Sequence, residues 1–212
     1  MLDDISKPGV ARFTAQMLNE GTKNRTPEDL EEEIQLLGAN INIRGGEENI
    51  TVSVSTLARN FEKTLSLVEE MLLEPRWDEE QFSINKTRTV NNLKRSLADP
   101  NYVADITFSK LALGADNIHS TDISGTAESV EAITLDDLRA FYDNNFSPSV
   151  ASFLIVGDGD QARVDMALAS LNEKWQAKEV VMPELTFAPA PEKSAIYFVD
   201  IPGAKQSVIN IG

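Results

Sequence analysis

Apolar positions early in the chain recur every three or four residues, and then every two. After Lys7-Pro8-Gly9, the residues Val10, Phe13, Met17 and Leu18 form an apolar helical run that Gly21 can end. Thr26-Pro27-Glu28-Asp29 reads as an N-cap followed by proline in the first turn of a second helix. Leu30, Ile34 and Leu37 are its apolar face, and Gly38 stops it. The period then drops to two. Ile41 and Ile43 alternate with Asn40 and Asn42, and Ile50, Val52 and Val54 alternate with Thr51, Ser53 and Ser55. With Gly45-Gly46-Glu47-Glu48 between them, the two segments predict a β-hairpin with one buried and one wetter face.

Helical spacing resumes at Phe61, with Leu65, Val68 and Leu72, and Pro75 ends it. Asp78-Glu79-Glu80 supplies acids to the first turn of a long helix running to about Leu97, which Pro100 prevents from continuing. A shorter helix over 102–113 is predicted to turn Val103, Ile106 and either Leu111 or Leu113 inward. Residues 114–125 read as a loop holding the only histidine, His119. Thr134-Leu135-Asp136-Asp137 has the form of a capping box, ahead of a helix face made by Leu135, Leu138 and Tyr142. Phe153-Leu154-Ile155-Val156 predicts a short, fully apolar strand. Gly157-Asp158-Gly159-Asp160 then leads into a helix with Val164, Leu168, Leu171 and Trp175 on one side.

From Gln176 to Ser194 periodicity dissolves around Pro183, Pro189 and Pro191, as in a linker or a crossing segment. Strand-like pieces over 195–201 and 206–211 follow, joined by Pro202-Gly203-Ala204-Lys205, and the sequence stops at Gly212. The expected organisation is therefore a domain over 1–175, a proline-containing connector over 176–194, and closing strands over 195–212 that begin a further unit of a longer protein. Helices and strands mix without regular βαβ spacing. The predicted class is α+β, an antiparallel sheet with helices packed on one face.

Composition narrows the function classes. Of 212 residues, 42% are hydrophobic and 25% charged, near globular averages, which excludes disorder, collagen and coiled coil for the chain as a whole. The balance of 19 basic against 34 acidic residues, net −15, leaves no excess of cations for a phosphate backbone or an anionic membrane surface. The absence of cysteine removes thiolate nucleophiles and Cys-ligated zinc. No apolar run of ~18 residues is present to span a bilayer. Met1-Leu2-Asp3-Asp4 lacks the basic and apolar regions of a signal peptide.

Isolated motifs carry little chemistry. His119 has no His or Cys companion and reads as a surface histidine. The Gly157-to-Asp160 turn lacks the P-loop lysine, the dinucleotide glycine spacing and the remaining EF-hand positions. Glu28, Asp29, Glu31, Glu32 and Glu33 read as a solvated helix face. One histidine leaves no spacing for a Ser-His-Asp arrangement.

Three segments together carry a resemblance. They are Gly9-Val10-Ala11-Arg12-Phe13-Thr14-Ala15-Gln16-Met17-Leu18 with Glu20-Gly21-Thr22; the stretch from Ile133 to Tyr142 with Asn145-Phe146-Ser147-Pro148 and 153–158; and Pro202-Gly203-Ala204-Lys205-Gln206-Ser207-Val208-Ile209. In that order they resemble the M16 (insulinase or pitrilysin) peptidases, and the resemblance implies the fold of the mitochondrial-processing-peptidase-like metallohydrolase domains. Active members carry H-x-x-E-H on the first helix, where positions i, i+3 and i+4 share a face: two imidazoles bind zinc and the glutamate activates water. Here the matching positions hold Arg12, Ala15 and Gln16. Arginine is no neutral ligand, alanine takes no proton, and an amide oxygen is a poor substitute for imidazole. The family's third ligand, a glutamate, belongs by order on the helix over 79–97. After Glu80 that helix has no acid, and it carries Lys86, Arg88, Lys94 and Arg95.

The resemblance thus implies a non-catalytic M16 domain with no catalytic residue, metal or cofactor of its own. Its implied partners are a catalytic M16 domain, in the same polypeptide or a separate subunit, that carries the zinc, and an unfolded peptide substrate. The parent protein or complex would be a zinc metalloendopeptidase, bacterial by its likeness. Family habit points to periplasm or cell envelope, with cytoplasm open. The rival expectation is an assembly subunit derived from the family with no role in proteolysis. The hairpin over 41–56 reads either as an edge to which a peptide adds as a strand, a use consistent with the family, or as an ordinary internal hairpin.

Overall fold

The computed structural model describes residues 3–158, 160–182, 184, 187, 189 and 194–212. Gly159, Pro183 and Pro191 of the predicted turn and connector lie outside the described residues, as do Met1 and Leu2. The elements in order are α1 (Val10–Met17), α2 (Pro27–Leu36), β1 (Asn40–Gly45), β2 (Ile50–Ser55), α3 (Phe61–Leu73), α4 (Glu79–Ser96), α5 (Pro100–Leu113), α6 (Ala127–Ala132), α7 (Leu135–Asn145) and α8 (Gln161–Lys174).

Local chemistry sets most boundaries. Thr26 accepts from the Asp29 N–H while Asp29 returns a bond to Thr26, and Thr134 with Asp137 repeats the arrangement at α7. Asp78, Asp99 and Asp160 accept from backbone amides at the starts of α4, α5 and α8. α1 is the exception. It starts at Gly9, whose φ of 106° favours glycine, and its capping group comes from outside the helix. The buried carboxylate of Asp3 accepts from the N–H groups of Gly9 at 2.9 Å and Ala11 at 2.6 Å. Burial pushes the Asp3 acid up from its ordinary value, against the pull of these two amides.

The hairpin forms as predicted, and its register sets Ile43 opposite Val52 and Ile41 opposite Val54. Ile41 and Ile43 are buried, while Asn40, Thr51, Ser53 and Ser55 are exposed. Two apolar clusters make up the core, and α1 lies between them. Val10, Phe13 and Met17 enter one with Val90, Leu93 and Leu138; Ala15 and Leu18 enter the other with Ile43, Leu67 and Met71. Trp77 packs against both. The result is a mixed α+β fold, a two-stranded antiparallel sheet with helices on its apolar side.

Several expectations are corrected. Residues 153–156, 195–201 and 206–211 are not strands: among the described residues they join no ladder, and the Ile201 carbonyl closes a turn with the Ala204 N–H instead. α5 turns Val103, Ile106 and Leu113 to one side, but they are only half-buried, Leu111 is exposed, and no residue of the helix is fully buried. On α8 only Val164 is buried, with Leu168, Leu171 and Trp175 half-buried. The predicted loop over 114–125 contains a short 3-10 turn, Ile118–Ser120, and α6 follows it. No helix among the described residues is long and apolar enough to cross a membrane.

Candidate functional site

α1 is the natural centre of any site, because both cores, the hairpin and α4 meet around it. Its sequence assigns three positions of interest. Arg12 is exposed, Gln16 half-buried, and Ala15 fully buried in the cluster under the hairpin. The structure therefore keeps Arg12 and Gln16 at the surface and removes Ala15 from it. Among the described residues, Arg12 makes no ion pair, although the chain carries a net charge of −15.

The last residue of β1 sits directly on this helix. A Cβ on Gly45 would lie 2.6 Å from the Arg12 Cα, so the strand reaches α1 only because the residue is glycine. One turn beyond Gln16, the Asn19 carboxamide binds the edge of β1, donating to the Ile43 carbonyl at 2.8 Å and accepting from the Ile43 N–H at 2.9 Å.

α4 crosses the other side of α1. Phe82 meets Phe13 edge-to-face at 5.4 Å, and the buried Asn85 donates from Nδ2 to Glu20 Oε1 at 2.8 Å. This Asn85–Glu20 pair escaped sequence reasoning; the one signal was an asparagine at the helical spacing of Phe82, Thr89 and Leu93, a face otherwise turned inward. The basic residues of α4 are mostly engaged elsewhere. Lys86 donates to the Ile133 carbonyl at 2.7 Å and lies 5.6 Å above the Phe82 ring; Lys94 pairs with Glu131 at 2.8 Å; Arg95 bonds Asn92. His119 stands apart in its 3-10 turn, half-buried, its backbone N–H on Asn117 Oδ1.

Among the described residues, no three His, Cys, Asp or Glu side chains converge in a way that could hold a metal ion. A guanidinium, a methyl and a carboxamide at i, i+3 and i+4 of α1 do not suit zinc either: the first stays protonated, the second has no donor and the third is weak. No catalytic step follows from this set.

The fold and the site thus define an α+β domain organised around a helix that carries no His, Cys, Asp or Glu. Residues 1–118 match the family model described as Insulinase (Peptidase family M16), and residues 132–212 match the one described as Peptidase M16 inactive domain. The chain belongs to the M16 peptidase family. It is 26% identical over 171 residues to the non-peptidase homolog YmxG of Helicobacter pylori, a match covering 81% of this chain and 39% of that protein. It is 28% identical over 153 residues to the cytochrome b-c1 complex subunit 1 of Caenorhabditis elegans, covering 71% of this chain and 32% of the other. In three dimensions it resembles the peptidase M16 inactive domain from Pseudomonas fluorescens, with a TM-score of 0.80 at 21% identity, over 86% of this chain and 44% of that one. The chain thus spans less than half the length of these relatives.

Proposed function

We propose that this chain is a non-catalytic M16 domain that docks to a catalytic half carrying the zinc site and supports the binding of unfolded peptide there. The observation that carries this reading is the chemistry of α1. Arg12, Ala15 and Gln16 stand at the positions matching H-x-x-E-H; neither Arg12 nor Ala15 offers a zinc donor or a base, and the Gln16 amide is a weak ligand. The helix expected to bring the third ligand, α4, presents the neutral Asn85, which donates to Glu20 in the segment just after α1. The similarity to a protein named as a non-peptidase homolog supports the same reading. Residues 1–175 would form the docking body, 176–194 the connector and 195–212 the start of the next unit.

A second reading is favoured by the similarity to a subunit of the cytochrome b-c1 complex: an assembly role without peptide contact. One experiment separates the two. A photo-cross-linking residue replaces Gln16, the protein is reconstituted with a catalytic M16 half, and an unstructured peptide is added. Cross-linking to the peptide supports the first reading; an intact assembly without cross-linking supports the second. Stoichiometric zinc in the purified chain, with chelator-sensitive proteolysis, overturns both.

A further inference from the structure

Arg12 stands where helix stability does not favour it. It is the third residue of α1, in the first turn, at the end where the helix macrodipole disfavours a cation. The carboxylate at that end, Asp3, is buried and committed, one oxygen to the Gly9 N–H and the other to the Ala11 N–H. Glu47 and Glu48 follow soon after Gly45, whose backbone lies against Arg12, yet among the described residues neither pairs with its guanidinium.

Gln16 extends the same face one turn on, since i and i+4 are neighbours on a helix. It is half-buried, and among the described residues its carboxamide has no hydrogen-bond partner. Beyond it the groups are taken. Asn19 is spent on both backbone groups of Ile43, and Glu20 receives the Asn85 Nδ2. Two uncommitted polar side chains thus occupy neighbouring positions on α1, followed by two that are paired. A guanidinium offers five N–H donors in a fork that fits a carboxylate, and a carboxamide both donates and accepts, as an extended peptide backbone requires. The fork fits a phosphate equally, but a net charge of −15 repels a polyanion far more than it repels a single carboxylate.

We propose that Arg12, with Gln16 beside it, selects unfolded peptides that present a carboxylate, on an acidic side chain or at the C-terminus. The inference rests on the peptide-binding reading above and adds the class of peptide. Arg12 donates to the carboxylate, and Gln16 holds the adjoining peptide backbone. The field of the chain as a whole works against this choice: 34 acidic residues against 19 basic ones push a carboxylate away from the surface at large. A preference for an acidic peptide therefore needs a local cation, and that makes the preference diagnostic.

For the test, the chain is reconstituted with a zinc-depleted catalytic M16 half, so that peptide is bound without being cut. Fluorescent unstructured peptides, acetylated at the N-terminus, are titrated by anisotropy. One is amidated with a central Gln, one is amidated with a central Glu, and one has the central Gln and a free C-terminal carboxylate. At least one carboxylate peptide is expected to bind about three- to tenfold tighter than the uncharged one at low salt, and raised salt should shrink the difference. Whichever does so identifies the source of the carboxylate. Arg12→Gln should bring the affinities together, whereas Arg59→Gln, which removes the same charge from the turn before α3, should keep them apart. Peptides bound without preference overturn the inference and leave the peptide-binding reading standing. A preference that survives Arg12→Gln places the selecting cation elsewhere and overturns it as well. If no peptide binds, the inference falls together with the peptide-binding reading.

Discussion

Asn19 binds Ile43 by both of its backbone groups, so a single side chain of the α1 exit occupies the edge of β1 as a neighbouring strand would. The pair ties the hairpin to the helix that separates the two cores. Asn19→Leu leaves a part-buried N–H and carbonyl unpaired and is expected to destabilise the fold by about 2–3 kcal/mol. Urea denaturation measures the loss, and amide exchange at Ile43 should accelerate with it.

Gly45 tests the same junction sterically. With Arg12 Cα 2.6 Å from an added Cβ, Gly45→Ala must push β1 away from α1. The expected cost is about 1–3 kcal/mol, measured by thermal melting. Gly157, with no neighbour near its added Cβ, is the control, and Gly157→Ala should change stability little.

Tyr142 links the end of α3 to the aromatic stack that secures α8. Its hydroxyl donates to the Leu72 carbonyl at 2.6 Å, its ring meets Trp77 at 5.6 Å and Phe146 at 5.0 Å, and Phe146 meets Trp175 at 4.9 Å. Tyr142→Phe keeps the stack and loses the hydrogen bond, an expected cost of about 1 kcal/mol in chemical denaturation. Burial, with Asp143 nearby, pushes the Tyr142 phenol up to about 12. The protonated form is the one favoured by folding. Its contribution is therefore full below the ordinary value of 10.0 and is lost as pH rises through about 12. Burial raises Tyr102 to about 12 as well, so the alkaline absorbance titration is read as the difference between wild type and Tyr142→Phe.

The Arg163–Glu62 pair gives the opposite sign. The hydrogen bond from Arg163 holds the Glu62 carboxyl at about 2, below its ordinary 4.5. Its contribution is present above 4.5 and is lost as pH falls through about 2. Arg163→Met is expected to remove that acid limb and to loosen α8 from α3, read as a pH-independent change in Trp175 fluorescence. The pair is exposed, so raised salt should weaken it in the wild type.

Local chemistry made much of the fold legible in the chain itself. Thr26, Asp78 and Thr134 marked helix starts because a capping oxygen sits within three residues of the amide it satisfies. The alternation around Ile43 and Val52 placed the hairpin because its two strands are joined by a short turn. That Arg12, Ala15 and Gln16 lie within one turn of a helix was equally legible, since i, i+3 and i+4 come together without help from the rest of the chain. Only the tertiary structure decided that Ala15 is buried while Arg12 stays in solvent, that Asn85 meets Glu20, and that Asn19 takes the edge of β1. It also decided that 153–156 stands without a ladder and that α5 buries no residue. The division has a physical cause. Caps and turns close over a few residues, whereas burial and strand pairing depend on partners tens of residues away, whose positions no local pattern encodes.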